Sequence, residues 1–358
     1  NFDDSLLPDN FSSGMRVSAE DYDKDGDLDL FVGGRVVPGS YPLPADSFLL
    51  ENITNGNGIK FKNADESIFS FKEIGLVTSS VWTDYNNDGW TDLIVVGEWT
   101  PIKFYKNIDG KFSEDTSLID VDSTRGWWYD IVAEDFDKDG DMDLVIGNLG
   151  NNYKYQASGD ETFDIFYNDF DQNNTGDIVL SYYNDGEQYP LRGRQCSSEQ
   201  IPAIKMKFQD YDAFSIATLE DVYTEPALEN SLHYFTKTFS SVYLENTGNS
   251  FKMSNLPVLA QLSAVNKILK KDINNDGYTD LIISGNMYNS EVETPRNDGS
   301  VGVYLEFIPN NGFRAVPTKE SGLFINGDVK DMELISLKEN DFIISAKNDD
   351  LIEFTKIK

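Results

Sequence analysis

The sequence predicts an all-β fold, a β-propeller of about seven (six to eight) four-stranded blades. Two repeated patterns indicate this fold. The first is an acidic nine-residue loop that occurs five times and is followed by a short apolar strand. The second is an apolar strand that ends in Asn and is followed by a Gly turn and Phe. Together they make two hairpins, which is one four-stranded unit. We interpret the whole chain, residues 1–358, as one propeller or as part of a longer protein.

The acidic loops carry the most specific chemistry of the sequence. Each has Asp or Asn at loop positions 1, 3, 5 and 9, and four of the five have Gly at position 6. Calcium prefers hard oxygen ligands at alternating positions, with Gly where the chain turns sharply. The sequence therefore predicts about five Ca²⁺ sites, with the carbonyl of position 7 as a further ligand. The predicted side-chain ligands are Asp21, Asp23, Asp25 and Asp29 in loop 1; Asp84, Asn86, Asp88 and Asp92 in loop 2; Asp135, Asp137, Asp139 and Asp143 in loop 3; Asp169, Asp171, Asn173 and Asp177 in loop 4; and Asp272, Asn274, Asp276 and Asp280 in loop 5.

These loops are not EF-hands. An EF-hand closes its site with a bidentate Glu at position 12, between two helices. Position 12 is apolar in all five loops, where it is Val32, Val95, Ile146, Leu180 or Ile283. The residues on both sides of each loop are typical of strands, so we predict that each loop joins two strands in a hairpin. Asp, Asn and Gly also favour ordinary turns, but five copies in one register favour a metal site.

The fourth loop differs from the others at position 6. It has Asn174 in place of Gly. Asn tolerates the left-handed backbone conformation better than most residues do. We therefore expect Asn174 to adopt that conformation and to replace the glycine of the other loops.

The spacing of the loops predicts an insertion. The second pattern occurs at 48–61, 104–112, 242–251 and 304–313, whereas the stretch from about 197 to 223 has apolar residues at helical spacing. Ser197 and Gln200 resemble a capping box, and Pro202 suits a first helical turn. We predict a helical insertion over residues 195–236, within or beside the fourth blade. Residues 328–354 are predicted to form a last blade without a calcium loop, sharing strands with the N-terminus to close the ring.

Composition restricts the classes of partner. The chain has 62 acidic and 29 basic residues, and its net charge is −33. This charge argues against nucleic acid as a partner, because nucleic-acid binding needs a basic face, and it disfavours anionic lipid. No segment approaches the roughly 20 apolar residues of a membrane helix, so no membrane insertion is expected. Weak calcium loops suit places with millimolar calcium, which predicts an extracellular or cell-surface location.

The loops and the apolar strands that follow them resemble the FG-GAP (VCBS-type) repeat family, to which the integrin α-chain propellers belong. The resemblance covers most of the chain except residues 190–237 and the end without a calcium loop. It implies a propeller whose loops bind calcium through the positions named above. The segments at 147–152 and 192–202 resemble large bacterial surface proteins of this family, related to cartilage acidic protein. That likeness implies a secreted or outer-membrane-associated bacterial protein.

Residues outside the loops give weaker signals of function. His233 is the single histidine and Cys196 the single cysteine, and both are expected to pack in the fold. The basic cluster of Arg192, Arg194, Lys205 and Lys207 could dock an acidic partner or simply neutralise its surroundings. Aromatic residues near loops and strand ends could contact sugars or pack between blades, namely Trp82, Trp90, Trp99, Trp127, Trp128, Tyr153 and Tyr155.

We interpret the chain as an extracellular calcium-binding propeller that serves as a protein-binding, adhesion or scaffold module of a cell-surface complex. The first alternative is a glycan-binding accessory subunit of an outer-membrane uptake system. The second is a carbohydrate-active enzyme, a polysaccharide lyase or hydrolase, with His233, Lys205 or a Tyr as base. The sequence shows no nucleophile elbow, zinc spacing or phosphate loop, so no catalytic residue is predicted and a non-enzymatic role is favoured.

Overall fold

The computed structural model describes residues 7–8, 13–55, 58–290, 294–338 and 340–357. The protein is mostly β, with 43% strand and 11% helix. The predicted all-β class is therefore confirmed, and the strands form several antiparallel four-stranded sheets.

The first two sheets are built from strands that follow one another along the chain. The first sheet has the order β1 (Ser13–Glu20), β2 (Asp29–Val36), β3 (Phe48–Asn52) and β4 (Phe61–Asn63). The second has β5 (Leu76–Thr83), β6 (Asp92–Thr100), β7 (Lys103–Ile108) and β8 (Lys111–Glu114), with β9 (Gly126–Trp127) paired to β6. Each consists of two hairpins, as the two sequence patterns predict.

The third sheet is interrupted by another sheet. After β10 (Asp130–Glu134) and β11 (Asp143–Gly147), the chain forms β12 (Phe163–Asn168), β13 (Asp177–Asn184), β14 (Glu187–Pro190) and β15 (Leu232–Thr236), which make a separate sheet in the order β14-β13-β12-β15. It then returns with β16 (Val242–Asn246) and β17 (Phe251–Asn255), and completes the order β10-β11-β16-β17. The sheet with loop 4 is thus inserted into the sheet with loop 3.

Five short helices lie between β14 and β15. They are α1 (Arg194–Gln200), α2 (Ala203–Lys207), α3 (Tyr211–Ser215), α4 (Leu219–Tyr223) and α5 (Glu225–Glu229). Their apolar residues pack with Phe166 and Val179 of the inserted sheet. Helices therefore occupy most of the 195–236 segment and strand β15 its end, while the division of the chain into domains stays a prediction.

The helix starts differ from those that the sequence predicts. The capping box expected at Ser197 is wrong, because Ser197 lies inside α1 and its hydroxyl donates to the carbonyl of Arg192 at 3.2 Å. A capping box is found instead at α4. There the Thr218 hydroxyl accepts from the amide of Asp221, and the Asp221 carboxylate accepts from the amide of Thr218.

Two further sheets follow. One has the order β18 (Val265–Lys271), β19 (Asp280–Gly285), β20 (Val303–Ile308) and β21 (Gly312–Val316). After α6 (Thr318–Ser321), the other has three strands within the described ranges, β22 (Val329–Leu337), β23 (Asn340–Lys347) and β24 (Glu353–Lys356). The predicted sharing of strands with the N-terminus falls on residues 1–12, most of which lie outside the described residues.

The sheets pack side by side through the first strand of each. Strand β5 packs between β1 and β10, and β18 packs between β10 and β22. Apolar clusters fill the spaces between neighbouring sheets, with Phe31 and Val77 between the first two and Phe104 and Ile131 between the next two. The inserted sheet lies outside this series, since its strand β15 packs on β6 and β9.

Candidate metal centre

The five acidic loops are hairpin connections in a single register. In each, the residue before loop position 1 pairs with the residue at position 9; the pairs are Glu20 with Asp29, Thr83 with Asp92, Glu134 with Asp143, Asn168 with Asp177, and Lys271 with Asp280. The hairpin prediction is confirmed for all five loops. Because the register is the same, equivalent side chains have equivalent places in every loop.

Two positions in each loop have a left-handed backbone. Position 6 has a positive φ in the four glycine loops, and Asn174 takes the same conformation in loop 4 with φ of 64°. That prediction is confirmed. Position 4 is also left-handed although no glycine occupies it; its residues are Lys24, Asn87, Lys138, Gln172 and Asn275. Sequence reasoning missed position 4, because Lys and Gln carry no signal for this conformation.

Hydrogen bonds from the loop backbone to the acidic side chains hold this shape. In loop 3 the amide of Gly140 donates to Asp135 Oδ2 at 3.2 Å, and the amide of Asp139 donates to Asp137 Oδ1 at 3.1 Å. The amide of Asp141 donates to Asp139 Oδ1 at 2.9 Å. The other four loops repeat all three bonds. Side chains at positions 1, 3 and 5 therefore each hold one oxygen against the backbone of their own loop.

The carboxylates inside the loops fit a hard cation. Oδ1 of Asp21, Asp135 and Asp272, at position 1 of their loops, is buried and has no hydrogen-bond partner in the described part of the chain. An unpaired buried carboxylate oxygen is costly unless a cation compensates it. Three acidic clusters could hold a metal ion, since one oxygen of each member lies within 4.8 Å of the others. Their members are Asp21, Asp23 and Asp25; Asp135, Asp137 and Asp139; and Asp169, Asp171 and Asp177.

Loops 2 and 5 bring no such group of three acidic residues together within the described ranges. Both have Asn at position 3, and the Asn86 side chain donates to Asp92 Oδ2 at 3.0 Å. Lys106 also lies 3.3 Å from Asp88 Oδ2. Because calcium affinity rises with ligand charge, we expect loops 1 and 3, with four carboxylates each, to bind more tightly than loops 2 and 5. The full set of twenty ligands stays a prediction.

The position-9 carboxylates are buried, and in loops 1, 2, 3 and 5 they connect the loop to its sheet. Oδ1 of Asp92 accepts from the amide of Asn107 at 2.7 Å, and Oδ1 of Asp143 accepts from the amide of Asn246 at 2.7 Å. Asp29 and Asp280 accept from the amides of Asn52 and Phe307 in the same way. The Asn that ends the second sequence pattern adds a side-chain bond to this backbone bond. The side-chain amides of Asn52, Asn107 and Asn246 each donate to the carbonyl at position 8 of the loop, which belongs to Leu28, Thr91 or Met142.

Burial changes the titration of these carboxylates. Because burial penalises the charged form, and acidic neighbours in the loop add to that effect, the pKa of Asp29, Asp92 and Asp143 is raised to about 7. The pKa of Asp177 and Asp280 is also raised by burial. A bound cation would favour the deprotonated form of all five.

We predict that the metal-free protein becomes less stable as pH rises from about 5 to 8. The raised folded-state pKa means that the folded chain binds protons more readily than the unfolded chain does, so the stabilisation by protonation is lost as pH passes about 7. Thermal melts in metal-free buffer at pH 5.5 and 8 would measure this loss. Asp143→Asn should reduce the change of the metal-free melting temperature with pH. A metal-free melting temperature that rises with pH would contradict the prediction. Calcium should stabilise more at pH 8 than at pH 5.5.

We predict that Asp139→Ala removes one calcium site and weakens the third sheet without abolishing the fold. At a calcium concentration 100-fold above the dissociation constant, the lost site is worth about 2.7 kcal/mol of unfolding free energy. Elemental analysis and thermal melts in calcium would measure both effects, with Asp160→Ala as control because Asp160 is an exposed acid outside the loops. An unchanged melting temperature together with unchanged stoichiometry would show the prediction to be wrong.

The other candidate residues are only partly packed within the fold, since the side chain of His233 is 40% exposed and Lys205 and Lys207 are exposed. His233 Nε2 lies 2.6 Å from Oδ1 of the buried Asp164, and its ring stacks on Phe166 at 4.2 Å. In the basic cluster, the guanidinium of Arg194 is buried and donates to the carbonyls of Phe208 and Gln209. Cys196 is partly buried in α1.

The aromatic candidate residues are either buried or partly buried. Trp99, Trp127, Trp128 and Tyr155 are buried, and Trp99 stacks on Phe163 at 5.7 Å. Trp82, Trp90 and Tyr153 are partly buried. The packing interpretation therefore accounts for most of the aromatic signal in the sequence.

Comparison with known proteins supports the repeat. Residues 84–146, which contain loops 2 and 3, match the FG-GAP-like repeat family, so the resemblance is confirmed over this stretch. No curated protein matches the sequence. Among solved structures, the crystal structure of the V. cholerae biofilm matrix protein Bap1 is similar at 11% sequence identity and a TM-score of 0.32. The match covers 95% of this chain and 66% of that chain, so this chain spans slightly less than two thirds of it. No helix in the described ranges combines the length and apolar character needed to cross a membrane.

Proposed function

We propose that this chain is an extracellular calcium-binding β-propeller that acts as a protein-binding, adhesion or scaffold module of a cell-surface complex. The observation that carries the proposal is the repeated loop geometry. Buried oxygens of Asp21, Asp135 and Asp272 have no partner in the described residues, and those of Asp21 and Asp135 lie within clusters of three carboxylates. Five calcium ions would compensate these charges and hold the hairpins.

The propeller itself is part of the proposal. The first strands β1, β5, β10, β18 and β22 pack in succession, which is the arrangement of blades around an axis. In this interpretation five sheets are blades. The inserted sheet with loop 4 is not a blade, and it packs beside the second blade. The blade count is then smaller than the seven predicted from chain length, because residues 148–241 build the insertion.

The extracellular location follows from the expected affinity of the sites. Dissociation constants of about 10⁻⁴–10⁻³ M are typical of extracellular calcium modules. The loops are exposed at positions 4 to 6, and they contain no bidentate Glu. Sites of this kind fill where calcium is millimolar and would be largely empty in cytosol. Sub-micromolar dissociation constants would contradict this part of the proposal.

A retention assay tests the proposed role. Beads coated with the chain are expected to bind bacterial cell envelopes in millimolar calcium and to be released by EGTA. Protease treatment of the envelopes should abolish binding if the partner is a protein, whereas periodate treatment should abolish it if the partner is a glycan. Equal retention with and without calcium, or none in either condition, would overturn the proposal.

The enzymatic alternative has one observation in its favour, the contact between His233 and the buried carboxylate of Asp164. Such a pair could orient a general base. Turnover on a panel of polysaccharides, lost in His233→Ala, would favour an enzyme over a binding module. We favour the binding role, because the ring of His233 is stacked on Phe166 and the Asp164 carboxylate also accepts from the Thr162 hydroxyl.

A further inference from the structure

Neighbouring acidic loops contact each other through the side chain at position 4. In loop 1 the ammonium of Lys24 donates to the carbonyl of Gly89 at 2.6 Å and lies 3.9 Å above the ring of Trp90. Gly89 and Trp90 are positions 6 and 7 of loop 2. The left-handed backbone of Lys24 is thus associated with a contact to the next loop.

The same relation recurs between the following loops. The side-chain amide of Asn87, at position 4 of loop 2, donates to the carbonyl of Gly140 at 3.3 Å and to Asp141 Oδ1 at 2.5 Å. Gly140 and Asp141 are positions 6 and 7 of loop 3. From position 4 of loop 3, the ammonium of Lys138 lies 4.5 Å from the ring centre of Tyr278, at position 7 of loop 5. Position 4 therefore contacts position 6 or 7 of the next loop three times.

A second set of contacts joins the same loops below the surface. The side-chain amide of Asn107 is buried and donates to the carbonyl of Tyr22, position 2 of loop 1, at 2.8 Å. The backbone amide of Asn107 donates to the carboxylate of Asp92 in loop 2. Asn246 repeats this arrangement in the next sheet. Its side-chain amide donates to the carbonyl of Tyr85 in loop 2, and its backbone amide donates to Asp143 in loop 3.

Loop 4 stands outside this series. It belongs to the inserted sheet, and its position-4 residue Gln172 contacts no other acidic loop in the described part of the chain. Gln172 nevertheless has the same left-handed backbone as Lys24 and Lys138. The backbone conformation is thus common to all five loops, whereas the contact to a neighbour is confined to loops that lie side by side.

We propose that loops 1, 2, 3 and 5 bind calcium as a coupled series, with Lys24, Asn87 and Lys138 as the positioning residues that transmit the coupling. The inference rests on the proposed calcium function. Calcium would order positions 6 and 7 of a loop, since the position-6 amide binds the position-1 carboxylate and the position-7 carbonyl is a predicted ligand. An ordered loop presents a fixed partner to the preceding position-4 side chain, so ordering one loop lowers the entropic cost of ordering its neighbour. The effect is reciprocal between sites.

Calcium titration of the full chain tests the coupling. The triple variant Lys24→Gly, Asn87→Gly and Lys138→Gly removes the three side chains, and glycine retains the left-handed backbone. The matched control is Gln172→Gly with Asn275→Gly, which makes the same change where no contact to a following loop exists in the described residues. We expect the wild type and the control to bind with a Hill coefficient above 1. We expect the triple variant to bind the same number of ions with a coefficient near 1 and about fivefold or more weaker affinity at the linked sites.

A site deletion gives an independent readout. Asp88→Ala should weaken calcium binding at loops 1 and 3 in the wild-type background but not in the triple variant, and it should leave loop 4 unchanged. Asn87→Gly alone, a single substitution, should uncouple loop 3 from loop 2 and serves if the triple variant does not fold. Identical isotherms for wild type, triple variant and control, each with about five ions, would overturn the proposed coupling through Lys24, Asn87 and Lys138 and leave the calcium function standing. Absence of calcium binding in the wild type would overturn the proposed function and the coupling with it.

Discussion

Removing calcium with EGTA is expected to lower the melting temperature of this protein more than any single substitution does. In a metal-free loop the carboxylates at positions 1, 3 and 5 are turned toward one another, as in the cluster of Asp135, Asp137 and Asp139. Their mutual repulsion and the burial of the position-9 carboxylate both oppose the hairpin. A site filled at 100 times its dissociation constant contributes about 2.7 kcal/mol. Five such contributions are comparable with the whole stability of a typical domain, about 5–15 kcal/mol.

Thermal melts with calcium and with EGTA, combined with elemental analysis of the calcium-loaded protein, would measure this effect. We expect about five bound calcium ions and a melting temperature lowered by well over 10 °C on chelation, since about 1 kcal/mol shifts the melting temperature of a domain by a few degrees. Magnesium is the matched control ion, because it prefers a smaller octahedral site and retains its water. It should restore little stability. Fewer than one bound ion and no shift would mean that the loops are ordinary turns.

Asn107→Ala is expected to be the most damaging substitution outside the calcium ligands. The Asn107 side chain is fully buried, and it donates to the carbonyls of Tyr22 at 2.8 Å and Thr91 at 3.0 Å. Alanine would leave both carbonyls without this donor, and each unsatisfied buried group costs about 1–3 kcal/mol. We therefore expect a loss of about 2–4 kcal/mol in unfolding free energy, since water can recover part of the cost. The backbone bond from Asn107 to Asp92 would remain.

Asn52→Ala is the matched control for this substitution. Asn52 is the last residue of β3, and Asn107 is the last but one of β7. The side chain of Asn52 donates only to the carbonyl of Leu28, in the loop of its own sheet, at an exposed site. Its loss should cost about 1 kcal/mol or less. Urea unfolding in saturating calcium would compare the two variants. If Asn107→Ala were no more destabilising than Asn52→Ala, the bond between sheets would not contribute as proposed.

Much of the candidate site was predictable because its structure is local. The side chains at positions 1, 3 and 5 accept hydrogen bonds from amides two to five residues further along the chain, as Asp135 does from Gly140. Asn174 shows how far this reasoning extends, since its left-handed conformation followed from its position alone. Position 4 shows where it ends. Lys24 and Lys138 are residue types without a preference for the left-handed backbone, and Gln172 shows that the loop as a whole imposes it even where no neighbouring loop is contacted.

The sequence by itself determined the acidic loops, their hairpin register and the four-stranded unit, because turn chemistry and strand alternation act between residues close together in the chain. The tertiary structure decided where the insertion enters and which loops touch. The sheet with loop 4 is inserted in the chain between β11 and β16, which pair with each other, although its loop pattern resembles the others. The bonds from Asn107 to Tyr22 and from Asn246 to Tyr85 join residues 85 and 161 positions apart. Contacts over such separations depend on how whole sheets pack, and neither residue pattern nor spacing encodes them.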